Sequence, residues 1–446
     1  MMKKILYSIG LLLLTMMYVS CDKNEEIEII QDPQGEIEQG DGNGEDSLVV
    51  YMLPTTRSVE LTTEQRAYVS KNNDFAFDFY RHFSNTDLHK TKSNIVSPLG
   101  LGFVMGMLLD GAQGKTRDEI ASLIGFGNDS RSASNLFFKA LIEGLPTVDE
   151  NVTLLMSNMV AYDDMVMLED DYSQNMASCF HADQHQLSFK KKNEATDYIN
   201  LWSNSKTKGM ISEIINENEI DETTILMLLN AIYFKATWAK KFDPAETHSE
   251  LFHGTNGPTD LPMMHCSAQV LYTQNDLYSM VSLPYGSGDK WSMKVLLPTD
   301  GHSLEEIRDR LTNVKWKADC GQLSSYIVDI KLPRFKTETN AILNDILSDM
   351  GAKTLFLENE ADFSPLTNNL KKSDGKSLWV GLLKQVATTE VNEEGTKLAA
   401  VTIAELMATS NVTTDTADFH CNRPFMYIIQ EASSGVIFSI GTYHGN

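Results

Sequence analysis

Positive charge is scarce in this chain. Lys and Arg number 37 against 61 Asp and Glu, a formal net charge of −24. Nucleic acid, anionic lipid and heparin are polyanions, so the balance argues against all three as partners. Cysteine is nearly missing, with five in 446 residues. Cys179, Cys266, Cys320 and Cys421 are far apart and make no metal-ligand spacing. A domain of this size needs no disulfide staples, so all four are expected as free thiols, mostly buried. The chain also has no Gly-x-Ser-x-Gly elbow, Walker loop or dinucleotide fingerprint. His181 and His185 have chelating spacing for a helix but lack the glutamate of a zinc hydrolase, and are expected as a surface pair at a helix end. No enzyme class, cofactor or metal is called for.

Long hydrophobic runs are absent except one, Ile5 to Val19, which follows Lys3 and Lys4. It is short for a membrane span and sits where a signal peptide would. Residues 1–20 then read as a leader ending before Cys21, and residues 21–70, rich in Glu, Asp, Gly and Gln, as a disordered tether. About 45 residues of such coil span ~35–40 Å. With 42% apolar residues, no repeat and no further linker, residues 71–446 are expected to form one large domain. Phe75, Phe79 and Phe83 recur at helical spacing, and Tyr326 to Phe335 is strand-like. Ser97-Pro98 fits a helix start, with serine as the cap and proline in the first turn.

Proline is also absent between Glu390 and Arg423. From Thr396 onward the even positions Thr396, Leu398, Ala400, Thr402, Ala404 and Leu406 carry no charge, while Lys397 and Glu405 fall on the odd set. Alternate side chains of a strand face opposite ways, so the segment can join a sheet without burying a charge on one face. It can also pair on both edges without losing a backbone donor. Gly395 and the small residues near it read as a flexible hinge. The pattern is that of a strand not yet in its sheet.

Glu390-Val-Asn-Glu-Glu-Gly-Thr396, followed by small residues and then Asn422-Arg-Pro-Phe425, resembles the reactive-centre loop of the serpins, a family of suicide inhibitors of serine proteases. Asn94-Ile-Val-Ser-Pro-Leu99, Met107-Leu-Leu-Asp-Gly-Ala112, Leu229-Asn-Ala-Ile-Tyr-Phe-Lys235, Leu283-Pro-Tyr285 and Leu332-Pro-Arg-Phe335 follow the family's order. The resemblance implies a mixed α+β fold of three β-sheets, about eight or nine helices and an exposed reactive-centre loop. It assigns the hinge to Glu393, Glu394, Gly395, Thr396, Leu398, Ala399 and Ala400, with Leu398 replacing a usual alanine. The scissile bond would join Thr409 and Ser410, with Met407 or Ala408 as alternatives. Ser97, Asn230 and Trp238 match positions beneath and beside the strands that part, and Gln385 stands where the family usually has histidine. The implied target is an elastase-like or subtilisin-like serine protease, engaged by a monomeric inhibitor. A papain-like cysteine protease or a non-inhibitory binding role is the alternative. The N-terminus resembles a bacterial lipoprotein signal with Cys21 as the lipidated residue, and the acidic stretch after it resembles the surface-export signal of Bacteroidetes lipoproteins. That implies an envelope protein anchored to the outer membrane, facing outward or into the periplasm, with the lipid as its sole membrane contact. A secreted protein is the alternative.

Overall fold

The computed structural model describes residues 56–220, 224–288, 290–367, 369–370, 378–396 and 415–445. All lie within one compact unit, Met52–Asn446. The first helix, α1 (Thr63–Ser84), starts inside the stretch assigned to the tether. A reciprocal capping box between Thr62 and Gln65 satisfies its first free donors, and Tyr68, Val69 and the three phenylalanines bury one face. The phenylalanine rings follow one another at 5.8 and 6.1 Å between centroids. Val59 is also buried. Residues 56–70 therefore belong to the compact unit, and polar residues on the exposed face of α1 mask its apolar stripe in the sequence.

Next come β1 (Asn94–Val96), α2 (Pro98–Gly111), α3 (Gly114–Leu123) and α4 (Arg131–Gly144). They lead to β2 (Val152–Asp163), α5 (Asp170–Cys179), β3 (Ala182–Leu187), α6 (Lys192–Lys206) and β4 (Leu226–Thr237). A run of strands follows, β5 (His248–Gly254), β6 (Gly257–Gln274), β7 (Tyr278–Pro284) and β8 (Trp291–Pro298). Two short helices, α7 (Leu304–Arg310) and α8 (Asn313–Cys320), precede β9 (Ser324–Pro333), β10 (Phe335–Ile342) and α9 (Asn344–Asp349). The remaining strands are β11 (Lys384–Val391), β12 (Gly395–Thr396), β13 (Thr416–His420), β14 (Phe425–Glu431) and β15 (Ile437–Tyr443).

Among the described residues these strands form three hydrogen-bonded sheets, as expected. The largest runs β1-β15-β14-β8-β7-β6-β9-β13, with β5 on β6. β15 is buried throughout and β14 nearly so, which explains their continuous apolar sequence. A four-stranded sheet runs β12-β4-β2-β3, and β10 pairs with β11 alone. α2 is buried along its whole length. Gly100 lets it lie close beneath β4, since a Cβ there would sit 2.5 Å from Asn230 Oδ1. On the other face of β4, Met227, Leu229 and Ala231 pack with Ile199 and Trp202 of α6 and with the isoleucines that follow it. Val386 of β11 packs against this same cluster. Glu219, beyond α6, holds Lys384 of β11 at 2.8 Å. α6 and its tail thus grip two strands that belong to different sheets.

Candidate functional site: a parted sheet and its hinge

One edge of β4 is paired with β2 over eleven residues, Val152↔Ala236 to Tyr162↔Leu226. Among the described residues its other edge is paired only at Thr237 and Ala236, which face Gly395 and Thr396 of β12. β11 is likewise satisfied on one side by β10, from Phe335↔Val391 to Ile342↔Lys384. Among the described residues no ladder joins β4 to β11. A cavity of ≈ 50 Å³ lies between them, lined by Asn230, Ile232 and Phe234 of β4 and by the consecutive residues Gln385 to Thr389 of β11. Consecutive residues of a strand point to both faces, so it is the edge of β11 that borders the cavity. The space is too small for a cofactor-sized ligand. Thr388 Oγ1 and Ser439 Oγ line it, buried and without a hydrogen-bond partner.

At the upper end the hinge is already docked. Gly395 and Asn392 exchange two backbone hydrogen bonds of 3.1 Å. Gly395 has φ of +134°, and a Cβ there would lie 2.3 Å from the Ala236 carbonyl oxygen and 2.6 Å from Thr237 Cα. Only glycine fits. The Trp238 indole donates to Asn392 O at 2.9 Å, and its backbone N–H donates to Glu394 O at 2.9 Å. Trp238 stacks on Tyr285 at 4.5 Å, and the Tyr285 hydroxyl meets Thr396 Oγ1 at 2.8 Å. Glu393 is 6% exposed. It accepts hydrogen bonds from Arg334 Nη2 at 2.5 Å and Thr247 Oγ1 at 2.7 Å. Burial pushes its carboxyl up, but the Arg334 and Thr247 bonds outweigh this and hold it below the usual range. Glu394 pairs with Lys241 at 2.6 Å. The hinge expected to be loose is, in its first residues, held by backbone and charge.

At the lower end Ser97 caps α2. Its hydroxyl accepts from Gly100 N–H at 3.2 Å and donates to Phe438 O at 2.9 Å. Gln385 clamps both backbone groups of Ser97: Oε1 accepts from its N–H at 3.0 Å and Nε2 donates to its carbonyl at 2.8 Å. Glutamine therefore fills the usual histidine position with two neutral hydrogen bonds. Asn230 lines the same cavity, but its amide donates to Asn158 Oδ1 at 2.8 Å, and Asn158 donates to Phe180 O at 2.7 Å. Asn230 thus ties β4 to β2, away from the Ser97–Gln385 pair.

Leu398, Ala399, Ala400, Met407, Ala408, Thr409, Ser410 and Cys21 lie outside the described residues. His181 precedes β3 and His185 lies within it, both past the end of α5. They have separate partners, Glu143 at 3.3 Å and the Tyr198 ring at 3.9 Å. The four cysteines are free, but only Cys421 is fully buried and the others are half-buried. Burial pushes the Cys266 and Cys320 thiols up to about 11. Asn158, Lys241, Thr247, Tyr285 and Arg334 complete the site and were not singled out for it from the sequence. Only the Leu-Pro-Tyr and Leu-Pro-Arg-Phe motifs marked two of them.

Two sheets thus flank one seam that no ladder closes among the described residues, with a glycine hinge docked at its mouth. Comparison gives the family. The model for Serpin (serine protease inhibitor) matches residues 70–445. Iripin-2 of Ixodes ricinus is 30% identical over 356 residues, 78% of this chain and 87% of its own. Serpin-ZXA of Oryza sativa subsp. japonica is 31% identical, with 77% and 88% covered. The native state of tengpin, a thermophilic serpin, superposes with a TM-score of 0.76 at 25% identity, over 90% of this chain and 99% of that one. Human thyroxine-binding globulin complexed with thyroxine gives 0.75 at 25%, over 85% and 98%. The chain belongs to the serpin family.

Proposed function

We propose that this protein is a covalent, loop-inserting inhibitor of serine endopeptidases, elastase-like or subtilisin-like in preference. The observation that supports this is the pair of edges on β4 and β11 that no ladder joins among the described residues, with Gly395 and Thr396 already laddered at their mouth. Continuing that antiparallel register brings residues 397–406 opposite Lys235 to Leu226. Leu398, Ala400 and Thr402 then share the inward face of Phe234, Ile232 and Asn230, and none is charged. Ten residues gaining backbone bonds at a net ~0.5–1.5 kcal/mol each yield ~5–15 kcal/mol, with apolar burial in addition.

A protease that attacks the loop forms an ester between its serine and the new carboxyl terminus of the N-terminal fragment, and the amine side leaves. The freed strand zips along β4, carrying the tethered protease with it. Distortion of the oxyanion hole then blocks attack by water. Thr409, with Met407 or Ala408 as the alternative scissile residue, suits small or medium apolar primary pockets and offers no cation to an acidic one. The test is incubation with pancreatic elastase and with subtilisin, followed by denaturing electrophoresis. A detergent-resistant protease–inhibitor band is expected, with mass spectrometry of the released peptide giving the bond; cleaved chain alone sinks the reading.

A binding role is the second reading, supported by the likeness to a thyroxine-binding relative. Charge or proline at the even hinge positions would have favoured it, and neither is there. The same proposal places the protein on the bacterial envelope, with a lipid on Cys21 and the domain held clear by the acidic tether. Cys21→Ser should abolish labelling by radioactive palmitate and release the chain from membranes.

A further inference from the structure

Far from the seam, the edge of the largest sheet gathers donor atoms of the kind transition metals prefer. β13 is the outermost strand there, parallel to β9 over five residues. Asp418 lies opposite Asp329, and His420 is two residues further along β13, so strand alternation puts all three side chains on one face. His265 of β6 pairs with Lys331 and therefore joins the same face. Asp329 is the hub: Oδ1 is 2.7 Å from His265 Nε2 and Oδ2 is 2.8 Å from His420 Nε2. Donor atoms of Asp329, Asp418 and His420 lie within 4.8 Å of one another.

Two carboxylates placed opposite each other on neighbouring strands repel, and a cation between them removes the cost. Lys331 shares the face, but its ammonium is committed to Glu250, 2.8 Å from each carboxylate oxygen. Imidazole nitrogen with carboxylate oxygen is a donor set for zinc-type ions, whereas calcium and magnesium take oxygen alone. We infer that Asp329, Asp418 and His420 bind a zinc-type divalent cation that staples β13 to β9. His265, on the other oxygen of Asp329, is its orienting partner. Bonds of about 2.0–2.2 Å put tetrahedral ligand atoms about 3.3–3.5 Å apart. The 2.8 Å contact must open slightly and the wider ones close. Side chains of His265, Asp329 and His420 that are 34–37% exposed have room for that shift and leave the ion a way in.

The test uses the untagged full chain, stripped with EDTA, titrated with Zn²⁺ by calorimetry and with Co²⁺ by visible absorption. One equivalent is expected, with the intense bands of four-coordinate cobalt. Asp418→Asn and His420→Gln should each weaken zinc at least tenfold, and His265→Gln several-fold. Asp418 is exposed and its replacement isosteric, so that variant folds, as its melting curve will check. Amides of residues 416–420 should exchange more slowly with zinc than with EDTA. Parent-like zinc affinity in both ligand variants, or no saturable single-ion binding, overturns the site; binding without added protection of β13 overturns the staple.

Discussion

Replacing Gly395 by alanine tests whether the docked hinge governs inhibition. At φ of +134° a residue with a Cβ is strained by about 1–3 kcal/mol. The new methyl would also meet Ala236 O at 2.3 Å, Thr237 Cα at 2.6 Å and Trp238 N at 2.7 Å, all backbone, so no side chain can swing aside. The hinge can escape only by leaving β4, which forfeits the Trp238 N–H bond to Glu394 O and the Thr396–Tyr285 contact. At about 0.5–1.5 kcal/mol each, that route costs a comparable amount. A penalty of about 2–3 kcal/mol, carried into the first step of insertion, slows it about 30- to 150-fold. Hydrolysis of the acyl-enzyme is untouched, so most encounters should end with cleaved inhibitor and active protease. The assay titrates a fixed amount of elastase and extrapolates to zero residual activity. The moles of inhibitor needed per mole of enzyme should rise from near one to tens. If the folded variant stays within twofold of the parent, the docked hinge does not control the race.

Nicking the segment 397–414 with a protease it does not trap should raise the melting temperature by 10 °C or more, since some ten residues gain a ladder; equal melting of nicked and intact chains counts against insertion. Gln385→Leu leaves the Ser97 N–H unpaired near the cavity floor, the carbonyl keeping its bond from Leu101 N–H, and should destabilise the domain by about 1–3 kcal/mol, read from urea unfolding. Glu393 has a folded-state carboxyl below its unfolded value of about 4.3. Its contribution is therefore present at neutral pH and lost as pH falls below about 4 through the folded value. Arg334→Ala should move that loss to higher pH, and an unchanged acid-unfolding profile would refute the pairing.

Local signals carried much of the architecture into the sequence. Ser97-Pro98 starts α2 as its chemistry demands, and Gly395 stands where the backbone takes a positive φ and approaches Ala236 too closely for any side chain. The Tyr326–Phe335 stretch is extended as expected, yet Arg334 divides it between two sheets, which alternation alone does not reveal. Partnerships across distance were not legible. Asn230 turned to Asn158 because antiparallel register sets them opposite, and Glu393 found Arg334 and Thr247 from elements remote in the chain. The cluster of His265, Asp329, Asp418 and His420 is assembled from three strands and leaves no spacing to read.

The grip of α6 sets a condition on timing. The apolar cluster it forms with the isoleucines after it takes in Met227 and Leu229 on one side of the seam and Val386 on the other, and its tail anchors Lys384. A newcomer threading between β4 and β11 must push these footholds apart, so the helix has to ride up or loosen while the strand passes. If the proposed insertion mechanism operates, how long a captured enzyme has to free itself then depends on a helix that takes no part in recognising it. Substitutions at Ile199 or Trp202 would retune potency without altering which enzymes bite.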